Sequence, residues 1–183
     1  MQRIEFEAGA VAVLRRRVAE AEATNEDLVA YARGHAGVVA AVHEAVLAAL
    51  RAETRAALGR VLTGRWPQLL GVDEVAFAWS LHGEAYGADR DGLQTLEPRL
   101  VARMAEILPP VTMRPVERGH PLFGPASGDV RSEALIRLDG EFGIGLIVLG
   151  QHAAPAVDGG HGARLLGFLG RTVSHMLERW PPR

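Results

Sequence analysis

Apolar residues recur along this chain with helical spacing, with strict alternation, and as one continuous run. Each pattern predicts a different element. Over residues 5–50 the spacing is helical. Val11, Leu14, Val18, Ala21 and Leu28 alternate steps of three and four, with Asn25 on the same seam. This is the heptad seam of a two-stranded coiled coil, where a polar Asn fixes register and partner number. An ordinary amphipathic helix packed on its own domain would show the same pattern, and both readings stand. Gly34 and Gly37 weaken the helix by about 1 kcal/mol each relative to Ala. Beyond them Val38, Val39, Val42, Val46, Leu47 and Leu50 broaden the apolar face. Thr54 is placed to cap a second helix, Arg55 to Trp66, with Leu58, Val61 and Leu62 inward. Pro67 interrupts it, and Gln68 to Gly71 reads as a last turn ending on glycine.

Strand periodicity begins at Val72. Up to Leu81 the chain alternates, with Val75, Phe77 and Trp79 on one face and Ala76, Ala78 and Ser80 on the other. Small residues on one face let a helix approach closely. Gly83 to Gly92 reads as a polar connection. Leu96 to Leu108 has helical spacing through Leu100, Met104 and Leu108 and stops at Pro109-Pro110. Val111 to Val116 predicts a strand, which Pro115 pushes to a sheet edge. Gly119 to Asp129, rich in Gly and Pro, reads as a loop. Val130 to Leu138 and Phe142 to Gly150 predict a hairpin turning at Asp139-Gly140, where glycine tolerates positive φ. From Ile144 to Leu149 the return strand is apolar on both faces, as a strand covered on both sides must be. A final helix, Gly160 to Trp180, aligns Leu165, Leu166, Leu169, Val173, Met176, Leu177 and Trp180 on one stripe.

This order of elements resembles that of GAF domains, small α+β ligand-sensing modules related to PAS domains. More narrowly, the chain is similar to the bacterial GAF-like proteins of the domain-of-unknown-function family number 484. The likeness rests on three stretches: Asn25 to Leu28 running on into Val46 to Leu50; Leu69 to Val75; and Val130 to Leu138 with Gly145 to Gly150 and the helix Leu165 to Trp180. The resemblance covers nearly the whole chain. It implies a GAF/PAS-like antiparallel sheet flanked by helices, preceded by a long N-terminal helix. The expected division is a dimerisation helix over residues 1–50 and a GAF-like domain over 51–183. The family brings no catalytic residues.

Composition removes several chemistries. The 183 residues contain no cysteine, which excludes disulfides, thiolate metal sites, thiol nucleophiles and thioether attachment of a chromophore. All 20 basic residues are Arg, and the formal net charge is -2 with no basic block. Phosphate-backbone binding needs a concentrated basic patch, so nucleic acid is not expected as a partner. There is no apolar signal-type segment at the N-terminus and no apolar run of the ~20 residues that cross a membrane. The expectation is a cytoplasmic protein with no membrane partner.

His35 and His43 lie about 12 Å apart along a helix and cannot chelate one ion. Gly143-Ile144-Gly145 sits inside a strand, not at a strand-to-helix turn, so it reads as close backbone approach and not as a dinucleotide fingerprint. Asp158 to Gly162 precedes a helix and reads as capping, with anion binding at its free N–H groups the alternative. Ser132 has no nucleophile-elbow motif around it. One constellation remains. Trp79, Arg114 and Ser132 offer an aromatic wall, a fixed cation and a hydroxyl for a small anionic or planar ligand on the sheet face opposite the terminal helices. The expectation is therefore a non-catalytic sensory or scaffolding module. It has no cofactor, forms a homodimer through helices, and takes a small ligand or a protein partner. The alternatives are a small enzyme using the GAF pocket, and an adaptor whose pocket is filled by side chains.

Overall fold

The computed structural model describes residues 16–18, 22, 34, 36–81, 83–141, 143–153 and 159–180. The chain divides into two compact units, Met1–Ala40 and Ala41–Arg183. In the first unit the described residues are helical, and Val18 and Val38 are half exposed. Val11, Leu14, Ala21, Asn25 and Leu28, the rest of the expected coiled-coil seam, lie outside the described residues.

The second unit opens with α1, residues 41–50, whose Val42, Ala45 and Ala49 are buried. Helix α2 (Arg55–Gly64) starts as its sequence dictates, with the Thr54 hydroxyl accepting from the Ala57 N–H at 3.1 Å. Helix α3 (Trp66–Leu70) carries Pro67 in its first turn and is capped by Gly71, whose φ of 66° suits glycine. Strands β1 (Glu74–Leu81), β2 (Glu84–Asp89) and β3 (Gly92–Leu96) follow. Then come α4 (Pro98–Glu106), β4 (Val111–Pro115), a 3-10 strap (Pro121–Gly128), β5 (Ser132–Asp139), β6 (Gly143–Gln151) and α5 (Gly159–Glu178). The six strands form one antiparallel sheet in the order β3-β2-β1-β6-β5-β4. Pro115 does stand on an edge strand, and the doubly apolar β6 does lie inside the sheet.

The two faces of the sheet are covered differently. On one, α1, α2, α3 and α5 bury Leu58, Leu62, Trp66, Leu169 and Val173 against Val75, Phe77, Trp79, Ile136 and Ile147. Helix α5 comes close to β5 because Gly170 has no side chain; a Cβ there would lie 2.6 Å from Ile136. On the other face, Val101 of α4 and Leu122, Phe123 and Ala126 of the strap lie on Ala76, Ala78, Leu146 and Val148. The small residues of β1 therefore receive this second layer.

Several expectations need correction. Gly83 to Gly92 is not a connection but most of the β2–β3 hairpin. Its Ala and Gly residues carry no alternating apolar signal, yet the Asp89 side chain closes the turn by accepting from the N–H groups of Asp91 and Gly92. Leu96 ends β3 instead of starting a helix, and Glu97 caps α4 by accepting from Arg99 and Leu100. The buried face of α4 is Val101 and Ala105, while Leu100 is 51% exposed. The Gly119 to Asp129 segment is largely 3-10 helix, kinked at Gly124 (φ 55°, ψ -130°). Gly140 does not adopt positive φ. It is small because Trp79 and Glu178 crowd it, at 2.9 and 2.7 Å from where a Cβ would stand.

Candidate functional site

Strand register builds the site. Across four strands, Arg114 stands opposite Glu133, Glu133 opposite Gly150, and Gly150 opposite Glu74. Residue parity puts this row on the α4 face: Glu74 is in step with Ala76, Glu133 with Leu135, and Gly150 with Val148. The side chains of Glu133 and Glu74 are 1% and 8% exposed. Two strand spacings separate their backbones, roughly 10 Å. Gly150 leaves the middle of the row bare, and the strap fills it. A Cβ at Gly150 would lie 2.9 Å from Phe123 Cζ and 3.0 Å from Val130. The Phe123 ring thus rests against Gly150 in the gap between two buried carboxylates.

A buried carboxylate is costly unless its oxygens are paired. Glu133 Oε1 accepts from Arg114 Nε at 2.9 Å and Nη2 at 2.7 Å. Its Oε2 accepts from the His120 backbone N–H at 2.7 Å. Glu133 thereby ties the entry of the strap to β5. Glu74 Oε1 accepts from Arg90 at 2.9 Å, and His152 Nε2 stands 3.8 Å away. Within the strap, Gly119 N–H donates to Ser127 O at 2.8 Å and Arg118 Nε to the Ser127 hydroxyl at 3.2 Å. Arg131 donates to Gly128 O at 2.7 Å. His120 caps the strap, its Nδ1 accepting from the Leu122 N–H at 3.2 Å, so that nitrogen carries no proton. Burial holds the His120 pKa below the ordinary imidazole value; the Glu133 charge opposes this and Arg114 adds to it.

Of the three residues singled out from the sequence, none meets another. Trp79 is 2% exposed and lies on the helix-covered face, its ring over the bare backbone of Gly143 and Gly145. That close approach explains both glycines. Ser132 shares the parity of Ala134 and Ile136 on that same face, and its hydroxyl donates to Ala153 O at 3.0 Å. Arg114 is on the opposite face, two strands beyond β6, and its charge is matched by Glu133. Sequence reasoning missed Glu133, Glu74, His120 and Phe123. A signal existed: Glu74 and Glu133 fall in step with apolar or small inward positions of their strands, where an acid must find a buried partner. Among the described residues no group of three or more His, Asp or Glu side chains is placed to hold a metal, and no helix is long and apolar enough to cross a membrane.

Known structures share this architecture. A methyl-accepting chemotaxis protein segment (residues 122 to 287) superposes with a TM-score of 0.51 at 12% identity, covering 76% of this chain and 96% of that one. The chromophore-binding domain of a Stigmatella aurantiaca bacteriophytochrome gives 0.50 at 18% identity, covering 76% of this chain and 59% of that one. The GAF domain of a putative sensor histidine kinase from Pseudomonas syringae pv. tomato gives 0.49 at 17% identity, covering 82% and 92%. No curated protein matches the chain. The family model described as "Protein of unknown function, DUF484" matches residues 2–182. With that match over nearly its whole length and a GAF-like α+β fold beneath it, the chain belongs to the DUF484 family.

Proposed function

We propose that this protein is a non-catalytic GAF-type regulatory or scaffolding module that acts through its surfaces. The observation that carries this reading is the occupied strap face. Phe123 fills the space above Gly150, and the acids beside it are engaged in holding structure: Glu133 by Arg114 and His120, Glu74 by Arg90, Asp89 by its own turn. A general acid or base needs a titrating group that faces substrate, and these carboxylates face their own scaffold. The similarity to sensor proteins supports the module's class through its fold.

The partner in this reading is a second copy. Leu47 and Leu50 on the outer side of α1 are nearly half exposed, as is Val18 in the first unit. The heptad spacing read from the sequence over residues 11–28 supports a self-complementary pairing of the kind that closes a two-fold dimer. Sedimentation velocity at micromolar concentration tests it. A dimer that becomes monomeric in Leu47→Glu/Leu50→Glu supports the reading; a monomeric native chain rejects it. A small ligand is the second reading. The half-exposed Arg114 guanidinium favours an anionic group at the β4 edge. A thermal-shift screen on the native chain and on Arg114→Ala tests this, and no shift with any compound ends it.

A further inference from the structure

We propose that the strap is a proton-operated latch: protonation of His120 removes the acceptor for the Leu122 N–H and releases Phe123 from its seat on Gly150. Three geometric facts meet here. His120 sits where β4, β5 and the strap join, with its backbone N–H held by buried Glu133. Its ring caps the strap only while Nδ1 is bare. The next turn carries Leu122 and Phe123, two of the large side chains that cover the Ala76–Ala78 floor. A proton on Nδ1 sets two N–H donors against each other, and the cap is lost. Gly124, at φ 55°, gives the segment a point at which to swing.

The surrounding charges set the direction. From β5 the Glu133 carboxylate faces His120 and favours the proton; from β4 Arg114 opposes it. Burial opposes it most, so the closed strap binds a proton less readily than an open one. The extra stability of the closed strap is present above the ordinary imidazole pKa and is lost as pH falls through the lowered value. Glu74 from β1 and Asp89 from β2 also face the strap region, Asp89 Oδ2 lying 3.4 Å from where a Gly124 Cβ would stand. Arg118 and Arg131 also hold the strap, through the Ser127 hydroxyl and Gly128 O. His152 Nε2 stands 3.8 Å from Glu74 Oε1.

Hydrogen exchange on the full chain from about pH 7.5 to about pH 5, corrected for intrinsic rates, reads the latch. Peptides over residues 118–131 should lose protection while those over β6 keep theirs. In His120→Asn the side-chain oxygen still caps and cannot titrate, so the loss should vanish; in His152→Asn it should persist. Equal loss in His120→Asn and the native chain overturns the proposal, as does an unresponsive native strap. Should His120→Asn fail to fold, 15N spectra of the native imidazoles decide. A strap-opening midpoint that coincides with the His120 titration supports the latch, and one that departs from it overturns it.

Discussion

The two faces of one sheet are held by different physics. The helix-covered face is a bed of large apolar side chains, among them Leu58, Leu62, Trp66, Phe77, Trp79 and Leu169. Its stabilisation is hydrophobic and scales with buried area. The strap face sets three alanines, Ala76, Ala78 and Ala85, beside Leu135, Leu146 and Val148, and lays on them a short 3-10 segment tied down by polar hooks at Glu133, Ser127 and Gly128. Burial over the alanines contributes less than burial over large side chains, and each net hydrogen bond adds only about 1 kcal/mol. Global stability is therefore expected to rest on the helix face and local adjustability on the strap face.

The strongest attack on that contrast is Trp66→Ala. It removes a fully buried ring and the indole donor to Ala45 O at 2.9 Å. A loss of about 3–5 kcal/mol, read as a lowered denaturant midpoint for the whole unit, is expected. Glu133→Ala should cost about 1–3 kcal/mol, because it leaves the part-buried His120 N–H without its acceptor while half-exposed Arg114 regains water. Its signature is regional: exchange should rise in residues 118–131 and not in α5. Thr54→Ala should lower thermal stability by about 1 kcal/mol through the lost α2 cap, with the strap unaffected. If Glu133→Ala and Thr54→Ala produced the same exchange pattern, the division between faces would not hold.

Much of the fold was legible because its periods are strong. Helix α5, the β5–β6 hairpin, the Thr54 cap and the edge position of Pro115 all follow from local rules that tertiary structure leaves in force. The β2–β3 hairpin was not legible, since Ala85, Gly87 and Ala88 are inward without being recognisably apolar. Helix α4 buries Val101 and Ala105, which the expected stripe omits; of that stripe Met104 and Leu108 pack partly buried against the core, while Leu100 is exposed. The site was hidden for a different reason. Trp79, Arg114 and Ser132 have the chemistry of a ligand site, but parity places Arg114 on the face opposite the other two. The buried acids Glu133 and Glu74 instead flank Gly150 in one row, and only register reveals that a missing side chain makes room for Phe123.

Native-state hydrogen exchange across increasing denaturant tests the contrast between faces most directly. The strap amides of residues 119–130 should exchange through a local opening of lower free energy than the global unfolding that exposes β6 and α5. If strap, β6 and α5 amides all exchanged only through the same global unfolding, the two faces would be one cooperative body and the account would be contradicted.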